Sequence, residues 1–363
     1  MKAIGDVEKA FEILEKFKLD GILLISRENL IDPNIRYFTN FAQEEGLGNC
    51  ILIISKAGRK LIVKEDEETR GIDAEKIIRV KHFDINTWKK VIGKIKRVGV
   101  NYHCLSLKTG SFLVKKLKLK LLDVSYELRK IRSVKTKKEI KIIREACKRT
   151  NKIIDIFEKK IVPRIKDGKI TEWEVSSEIE DLIRKMKANP AFKVLVVSGK
   201  RSRQIHTNPP SSFRKVKKFG YIDFGIRYKG YCTDVTVPFV LRRLNKKEER
   251  MIEILLRTYE YVLNNLRPGM LDYEVFDLAN NYLRKFGLKL KHGLGHGIGL
   301  EVHENPSFLP KNSRRKIDKV ENNMVFTIEP GIYLKNFGLR IEDNFIVKGE
   351  KILPLTNSHF IIS

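Results

Sequence analysis

Two aspartates stand inside apolar, strand-like stretches on either side of a turn. Asp223 precedes the turn near residues 228–230, and Asp234 follows it. An antiparallel hairpin centred between Tyr228 and Lys229 places the two carboxylates directly opposite each other, with their Cβ atoms roughly 5 Å apart. Carboxylates this close repel each other and raise a pKa unless a cation lies between them. Because aspartate is also disfavoured in strand interiors, the pair indicates a metal site.

A second pair of carboxylates is also placed symmetrically about a predicted turn. Glu329 and Glu342 are symmetric about residues 335–336, so a hairpin that turns there brings their side chains together. The prediction requires that no bulge shifts the register, and Gly331 and Gly338 are positions where a bulge can form. With an unbroken register, this hairpin supplies two more metal ligands.

A glycine-rich segment between these pairs carries three of the chain's seven histidines, His292, His296 and His303. Glycines alternate with other residues from 293 to 299, so the backbone can approach a ligand closely. A glycine-rich turn with incidental histidines is the alternative interpretation, but the clustering favours a metal-binding role with His296 as the ligand. His206 lies in the polar loop 198–210, and taken alone it is expected to be solvated.

Together these segments offer four carboxylates and one imidazole as metal ligands: Asp223, Asp234, His296, Glu329 and Glu342. Four carboxylates balance the charge of two divalent cations, so the cluster can be buried close to neutrality. Oxygen-rich sites with one imidazole suit Mn²⁺ or Co²⁺, with Fe²⁺ and Zn²⁺ as alternatives. Carboxylates can bridge two ions roughly 3.5–4 Å apart, a spacing that aminopeptidases use.

The elements before these segments form a separate part of the chain. Residues 1–125 alternate between helical periodicity and short apolar runs, which predicts an α/β domain with a mixed sheet. No set of catalytic side chains stands out there, because His82 and His103 are isolated. The predicted helices are 6–18, 88–95 and 112–117, and the predicted strands are 22–25, 50–54, 60–63, 98–100 and 121–124.

Longer helices follow a basic connector at 126–137. Thr171 is predicted to cap a helix, with Glu174 completing a capping box. The order is two blocks, each a pair of helices followed by strands. The predicted helices are 138–159, 171–187, 246–266 and 272–286, and the predicted strands are 192–198, 219–226, 230–237, 299–302, 324–333 and 338–347.

This set of motifs resembles the pita-bread metallopeptidases, which include prolidases, Xaa-Pro aminopeptidases and methionine aminopeptidases. The similarity covers essentially the whole chain, because the proline-directed members carry an N-terminal domain of this size. Residues 128–140 also resemble their connector between domains. The resemblance implies an α/β (α+β) chain with a creatinase/prolidase-like domain at 1–125. Residues 126–363 would then form a pita-bread domain with a curved antiparallel sheet and helix pairs.

The resemblance also implies a place for each metal ligand. Asp223 would bind one ion through both oxygens, and Asp234 would bridge two divalent ions. His296 and Glu329 would hold the other ion, and Glu342 would bridge. A hydroxide between the ions would be the nucleophile, because both cations lower its pKa.

Four residues take catalytic roles by the same resemblance. Glu329 would act as general base, and His303 would polarise the scissile carbonyl and stabilise the oxyanion. His206 would contact the substrate near the leaving nitrogen, and Arg340 would orient carboxylates or the peptide. The implied function is hydrolysis of Xaa-Pro bonds in peptides or dipeptides by a homodimeric exopeptidase.

The chain departs from the usual family pattern at Ile205, at Val237-Pro238 and at Ser307-Phe308. None of these positions is a metal ligand, so the departures bear on substrate preference. They leave open the choice between dipeptidase and aminopeptidase. A broader-specificity aminopeptidase and a non-catalytic nucleic-acid- or protein-binding member of the fold are the alternatives. A metal-free, creatinase-like protein is disfavoured because the ligands are kept.

Composition limits the partners and the compartment. The 363 residues carry a formal net charge of +28, spread along the chain without an aromatic-interleaved basic motif. We therefore expect salt-sensitive attraction to polyanions but no specific nucleic-acid binding. The charged residues 1–17 and the lack of a long apolar run predict neither a signal peptide nor a membrane span. The scattered Cys50, Cys104, Cys147 and Cys232 predict free thiols in a reducing cytoplasm.

Overall fold

The computed structural model describes residues 5–27, 29–42, 49–312 and 315–362. Residues 1–4 of the charged N-terminal segment lie outside this described part. The chain divides into two compact units, Met1–Arg132 and Ser133–Ser363. Each unit has buried apolar side chains of its own. Within the described residues, no helix combines the length and the apolar character that crossing a bilayer requires.

The first unit is built on one mixed sheet. Its strands are β1 (Gly21–Ser26), β2 (Cys50–Ser55), β3 (Gly58–Lys64), β4 (Lys76–Val80), β5 (Arg97–Val100) and β6 (Lys120–Asp123). The helices are α1 (Glu8–Phe17), α2 (Pro33–Thr39), α3 (Ile85–Ile92), α4 (Leu107–Lys115) and α5 (Ser125–Ser133). The strand order is β4-β3-β2-β1-β5-β6, with β1 antiparallel to β2 and parallel to β5. This confirms the predicted α/β part with a mixed sheet.

Burial explains which of these elements the sequence revealed. Every residue of the central strand β1 is buried, so its sequence is a continuous apolar run rather than an alternating one. Helix α2 was not predicted, although Asp32 caps it by accepting a hydrogen bond from the Asn34 backbone N–H. Strand β4 was missed because it lies at the sheet edge and is only partly buried. The predicted connector begins inside helix α5.

The second unit contains two sets of helices. These are α6 (Lys137–Ile156), α7 (Val162–Lys166), α8 (Glu172–Lys185), α9 (Lys246–Asn265) and α10 (Asp272–Arg284). A π-helical turn at Phe157–Ile161 joins α6 to α7. Helix α8 begins at the predicted capping box, in which Thr171 accepts from the Glu174 backbone N–H and the Glu174 carboxylate accepts from Thr171. The capping box thereby satisfies two N–H groups at the start of the helix, those of Thr171 and Glu174.

Strands follow each set of helices. After α8 come β7 (Asn189–Pro190), β8 (Leu195–Ser198), β9 (Phe219–Phe224), β10 (Ile226–Tyr228), β11 (Tyr231–Cys232) and β12 (Val235–Val240). After α10 come β13 (Gly295–Gly297), β14 (Glu304–Phe308), β15 (Val325–Ile328), β16 (Gly331–Tyr333), β17 (Gly338–Arg340), β18 (Asp343–Lys348), β19 (Lys351–Pro354) and β20 (Ile361–Ile362). The two larger sheets have the orders β20-β12-β9-β8 and β14-β13-β15-β18-β19. Their pairing is antiparallel except between β12 and β20.

A backbone bridge joins the two strand blocks of this unit, in addition to the parallel pairing of β12 with β20. Thr236 of β12 and Glu342 exchange backbone hydrogen bonds, with N···O distances of 3.4 Å and 3.2 Å. This places the hairpin that carries the aspartates beside the hairpin that carries the glutamates. The carboxylates predicted as ligands from distant parts of the chain therefore meet along one seam.

The strand predicted at 299–302 is wrong. Strands β13 and β14 lie on either side of it, and the register between them shifts between His296 and Gly297. The backbone carbonyls of Gly299 and Leu300 accept from the Cys232 N–H and the Arg227 guanidinium, at 2.7 Å and 2.6 Å. These contacts hold the segment as a loop without strand pairing. The strand was predicted from its apolar residues, which are compatible with such a loop.

Candidate metal centre

The aspartate hairpin has a register two residues away from the predicted one. Thr236, not Asp234, lies directly opposite Asp223. The turn consists of Lys229 and Gly230, with φ of 48° and 87°, and positive φ at both central residues is typical of a type I′ turn. This turn lies one residue later than the predicted centre. Because strand side chains alternate with period two, the shift still leaves both aspartates on the same face.

The glutamate hairpin has the predicted register. Gly331 pairs with Arg340, and strands β15 and β18 continue the same alignment beyond the glutamates. Glu329 and Glu342 therefore stand opposite each other, and neither glycine introduces a bulge between them. This prediction is confirmed.

His296 presents its outer ring nitrogen to the carboxylates. Its Nδ1 lies 3.1 Å from the Gly297 carbonyl oxygen, so Nδ1 carries the proton and donates. Its Nε2 lies 3.6 Å from an Asp234 oxygen and 3.7 Å from a Glu329 oxygen. Burial, followed by the charge of His303, lowers the pKa of His296 to about 3. A neutral imidazole with its Nε2 lone pair directed at carboxylates is the form that binds metal.

Three side chains form the tightest part of the cluster. Ligand atoms of Asp234, His296 and Glu342 all lie within 4.8 Å of one another. These residues are 6%, 8% and 2% exposed. Among the described residues, Oδ1 of Asp223, Oδ1 of Asp234 and Oε1 of Glu342 are buried without a hydrogen-bond donor. Buried acceptors without a partner are costly, so these oxygens fit a bound cation.

The electrostatics of the cluster favour the same conclusion. Burial and the charges of neighbouring carboxylates raise the pKa values of Asp234 and Glu342 well above the ordinary range. Burial raises the pKa of Glu329 to about 7, although the Arg340 guanidinium opposes this. Burial also raises the pKa of Asp223, again against Arg340. One guanidinium cannot neutralise four carboxylates, and cation binding relieves the repulsion that remains.

Arg340 connects the two hairpins on one side of the cluster. Its guanidinium forms an ion pair with Asp223 and donates through Nε to the Thr236 hydroxyl at 3.0 Å. The Thr236 hydroxyl in turn donates to Glu342 Oε2 at 2.8 Å. Sequence reasoning missed Thr236, although the correct turn position would have placed it opposite Asp223. The chain of contacts orients carboxylates from both strand blocks.

His292 and Tyr333 also belong to the site and were not predicted. His292 Nε2 lies 3.0 Å from the Tyr333 hydroxyl, which accepts from Arg340 Nη1 at 3.0 Å. His292 Nδ1 lies 3.7 Å from Glu329 Oε2. Burial lowers the pKa of His292 to about 3. The sequence feature that could have identified His292 as a site residue is its position at the start of the segment that contains His296.

The structure brings His303 to the cluster and leaves His206 at its edge. The ring centroids of His303 and His296 are 4.3 Å apart. His206 is exposed, yet its charge lowers the pKa of Asp223, as does that of His303. The carbonyl of Ile205 accepts from Arg340 Nη1 at 3.5 Å, so the His206 loop contacts the cluster through its backbone.

Comparisons with known proteins identify the family of this chain. Residues 7–134 match the model for the creatinase/prolidase N-terminal domain, and residues 141–349 match the model for metallopeptidase family M24. The chain is 30% identical to the Xaa-Pro dipeptidase of Pyrococcus horikoshii over 98% of both chains.

Two solved structures show the same fold over nearly the whole length. The prolidase from Pyrococcus horikoshii OT3 superimposes with a TM-score of 0.83 at 28% identity, covering 98% of each chain. The X-Pro aminopeptidase from Thermotoga maritima MSB8 gives a TM-score of 0.84 at 27% identity, covering 99% of each chain. With the family model covering more than half of the chain, this protein belongs to metallopeptidase family M24 and is a metallopeptidase with the pita-bread fold.

Proposed function

We propose that this metallopeptidase hydrolyses the bond between an N-terminal residue and a following proline, with two divalent cations bound in the cluster. The observation that carries the proposal is the set of buried carboxylate oxygens of Asp223, Asp234 and Glu342 that lack a donor. The names of the similar proteins, a Xaa-Pro dipeptidase and an X-Pro aminopeptidase, support the substrate class.

The proposed ligand set is the one that the family resemblance implies, and the proximity of Asp234, His296 and Glu342 supports it. Asp223 and Asp234 are assigned to one cation, and His296 and Glu329 to the other. By the family resemblance, Asp234 and Glu342 would be shared between the two cations, and each has a buried oxygen without a donor that is available to a cation. The neutral His296 imidazole is oriented by the Gly297 carbonyl. We favour Mn²⁺ or Co²⁺, with Fe²⁺ or Zn²⁺ as alternatives, because carboxylate oxygens dominate the set.

The chain's own residues supply proton transfer and charge stabilisation. When bound, the cations lower the pKa of the attacking water. Glu329 would accept the proton of that water, a role that a carboxylate beside the cations can fill. His303, beside His296, donates to the oxyanion that develops on the scissile carbonyl. Arg340 and Thr236 hold Asp223 and Glu342 in place.

His206 is assigned to the substrate near the leaving nitrogen. The loop that carries it is anchored at both ends by Glu172, a buried carboxylate. Glu172 accepts hydrogen bonds from Ser198 and Ser212, and it lies 2.9 Å from Arg201 Nε. These contacts fix the ends of the loop and leave His206 exposed to an incoming peptide.

A peptide series tests the proposal directly. The metal-free protein is reconstituted with Mn²⁺ or Co²⁺ and bound metal is counted. Release of the first residue is then measured for Ala-Pro, Ala-Pro-Ala and longer peptides, with Ala-Ala peptides as controls. Cleavage of Ala-Pro alone identifies a dipeptidase, and cleavage of the longer series identifies an aminopeptidase. Equal cleavage of Ala-Ala peptides indicates broader specificity. Failure to cleave any Xaa-Pro peptide with two metals bound contradicts the proposal.

We also propose a cytoplasmic homodimer. None of the four cysteines is in a disulfide, and burial raises the thiol pKa values of Cys50 and Cys147. Protonated, buried thiols suit a reducing compartment. Sedimentation analysis of the purified protein measures its oligomeric state, and a monomer across the micromolar range overturns that part of the proposal.

A further inference from the structure

A fully buried ion pair lies outside the metal cluster. Lys135 Nζ is 2.9 Å from Glu304 Oε2, and the two side chains are 0% and 1% exposed. Removing two charges from water costs several kcal/mol per ion before their attraction offsets it. Apolar residues of similar size would fill the same space at less cost, so the pair calls for a role beyond packing.

Glu304 is in direct contact with the loop before it. Its Oε1 accepts from the Glu301 backbone N–H at 3.3 Å, while its Oε2 is held by Lys135. A Cβ built at Gly299 would lie 2.4 Å from Glu304 Oε2, so the loop packs directly on the carboxylate. The loop 299–303 ends with His303, the residue adjacent to Glu304 in the chain.

The opposite side of this loop is tied to the aspartate hairpin. The Cys232 N–H donates to the Gly299 carbonyl at 2.7 Å, and Arg227 Nη1 donates to the Leu300 carbonyl at 2.6 Å. Both donors belong to the turn region that leads to Asp234. The loop is therefore held on one side by the metal-binding hairpin and on the other by Glu304.

Lys135 is itself fixed by the backbone. Its N–H donates to the Asn323 carbonyl at 3.0 Å, next to the Thr136 cap of helix α6. A second buried carboxylate, Glu139, accepts from the Tyr231 hydroxyl at 3.2 Å. Lys135 lowers the pKa of Glu139, against the larger effect of burial, so the ammonium group interacts electrostatically with two buried carboxylates, Glu139 and Glu304.

We propose that the buried Lys135–Glu304 ion pair is a positioning device for His303, fixing the loop 299–303 so that the imidazole stays beside His296. Lys135 and Glu304 touch neither substrate nor cation in this assignment and are positioning residues. The inference rests on the proposed function, because it concerns the residue that stabilises the oxyanion. A rigid loop keeps the donor where charge develops, and small displacements of such a group are costly to turnover.

Loop exchange provides a test that does not depend on activity. Glu304→Gln weakens the ion pair, and Lys135→Met with Glu304→Gln removes both charges without leaving one buried alone. In both variants we expect the Glu301 amide to exchange about tenfold faster than in the native protein. The exposed Arg164–Glu178 pair provides the matched control, and Arg164→Met with Glu178→Gln should leave this exchange unchanged. Unchanged exchange in the Glu304 variants overturns the inference.

Kinetics then separate positioning from general damage. In Glu304→Gln we expect kcat to fall about 10–100-fold, with KM and metal content within about twofold of native. In a His303→Ala background, the same substitution should lower kcat by less than about twofold, because the group it positions is gone. An equal loss in both backgrounds overturns the inference. An inactive native protein whose loop exchange still responds to Glu304→Gln rejects the proposed function and leaves the structural coupling intact.

Discussion

The carboxylates of Glu342 and Asp343 are neighbours in the chain and both are buried, yet their oxygens have different surroundings. Asp343 accepts from Thr356, the Ser358 backbone and Tyr259, at 2.7–2.9 Å. Glu342 accepts from Thr236 through Oε2 and leaves Oε1 without a donor. A buried carboxylate with complete partners stabilises the fold, whereas one with an open oxygen is available to a cation.

This contrast gives a matched pair of variants. Glu342→Gln should reduce metal affinity by more than about 100-fold, which exceeds the loss typical of residues behind the ligands, and abolish activity. Asp343→Asn should keep the metal content of the native protein, because its oxygens face donors rather than the cluster. Metal analysis after gel filtration measures both. Full metal occupancy and activity in Glu342→Gln would contradict the ligand assignment.

His303 should behave differently from a ligand. His303→Ala is expected to lower kcat by about 10²–10³, the loss that follows removal of an oxyanion donor, while metal content stays native. His82→Ala, in the other unit, serves as the control and should have native kinetics. Loss of metal from the His303 variant would instead make it a ligand and require a different ligand set.

Two capping aspartates of the first unit should respond to pH with opposite sign. Burial raises the pKa of Asp32, against hydrogen bonds from Asn34, whereas the Thr87 backbone N–H lowers the pKa of Asp84. A raised carboxyl pKa contributes stability below its unfolded value of about 3.9 and loses it as pH rises through the folded value. A lowered one contributes above that value and loses it as pH falls.

Denaturant unfolding over a pH series checks these signs. The stability of Asp32→Asn relative to native should increase as the pH rises above about 4. The stability of Asp84→Asn relative to native should decrease as the pH rises towards about 4 and stay level above it, because the ionised Asp84 cap is the form that its donors favour. If the stabilities of both variants relative to native changed with pH in the same direction, burial would not be the dominant influence on the pKa of Asp32.

At the scale of elements, the turn between β10 and β11 sets the register of the aspartate hairpin. Lys229 adopts a positive φ of 48°, which costs energy for any residue with a side chain, while Gly230 takes 87° freely. Asn tolerates this conformation, and Asn-Gly is the preferred type I′ pair. Lys229→Asn should therefore raise the free energy of unfolding by about 0.5–1 kcal/mol at unchanged activity. Chemical denaturation measures it, and Lys229→Gln, expected to be neutral, is the control.

The two hairpins also show what a single sequence reveals. The glutamate register was predictable because the glutamates are symmetric about a turn that forms where symmetry places it. The aspartate register was not, because the choice between neighbouring turn positions depends on backbone conformation at Gly230. The two predicted aspartate ligands still lie on the same face of the sheet, because a register shift of two residues does not change the face to which a strand side chain points.

Partners from distant parts of the chain were the least predictable feature. Thr236 bridges Arg340 and Glu342, and Lys135 pairs with Glu304, but no local pattern links these positions. Only the folded strand order brings them together. The spacing of residues in the sequence therefore predicts candidate ligands. The residues that orient those ligands can be identified only from the folded structure, in which the two strand blocks are joined.

At the scale of the whole molecule, the carboxylate cluster makes stability depend on metal. All five proposed ligands belong to Ser133–Ser363, and they come from both strand blocks of that unit. Without a cation, burial and mutual repulsion oppose bringing them together, as the raised pKa values of Asp234 and Glu342 show. A cation that binds only the folded state adds stability by mass action, about 2.7 kcal/mol at a free concentration of 100 times Kd.

Thermal unfolding and hydrogen exchange test this dependence together. Adding Mn²⁺ to chelator-treated protein should raise the Tm and slow amide exchange in β12 and β15 more than in β1, because β12 and β15 lie next to the ligands. Glu342→Gln should lose this shift in Tm, whereas Asp343→Asn should keep it. Stabilisation that persists in Glu342→Gln would place the responsible cation elsewhere. The seam between the strand blocks joins ligands from both, so a metal bound there is expected to stabilise the two blocks as one unit.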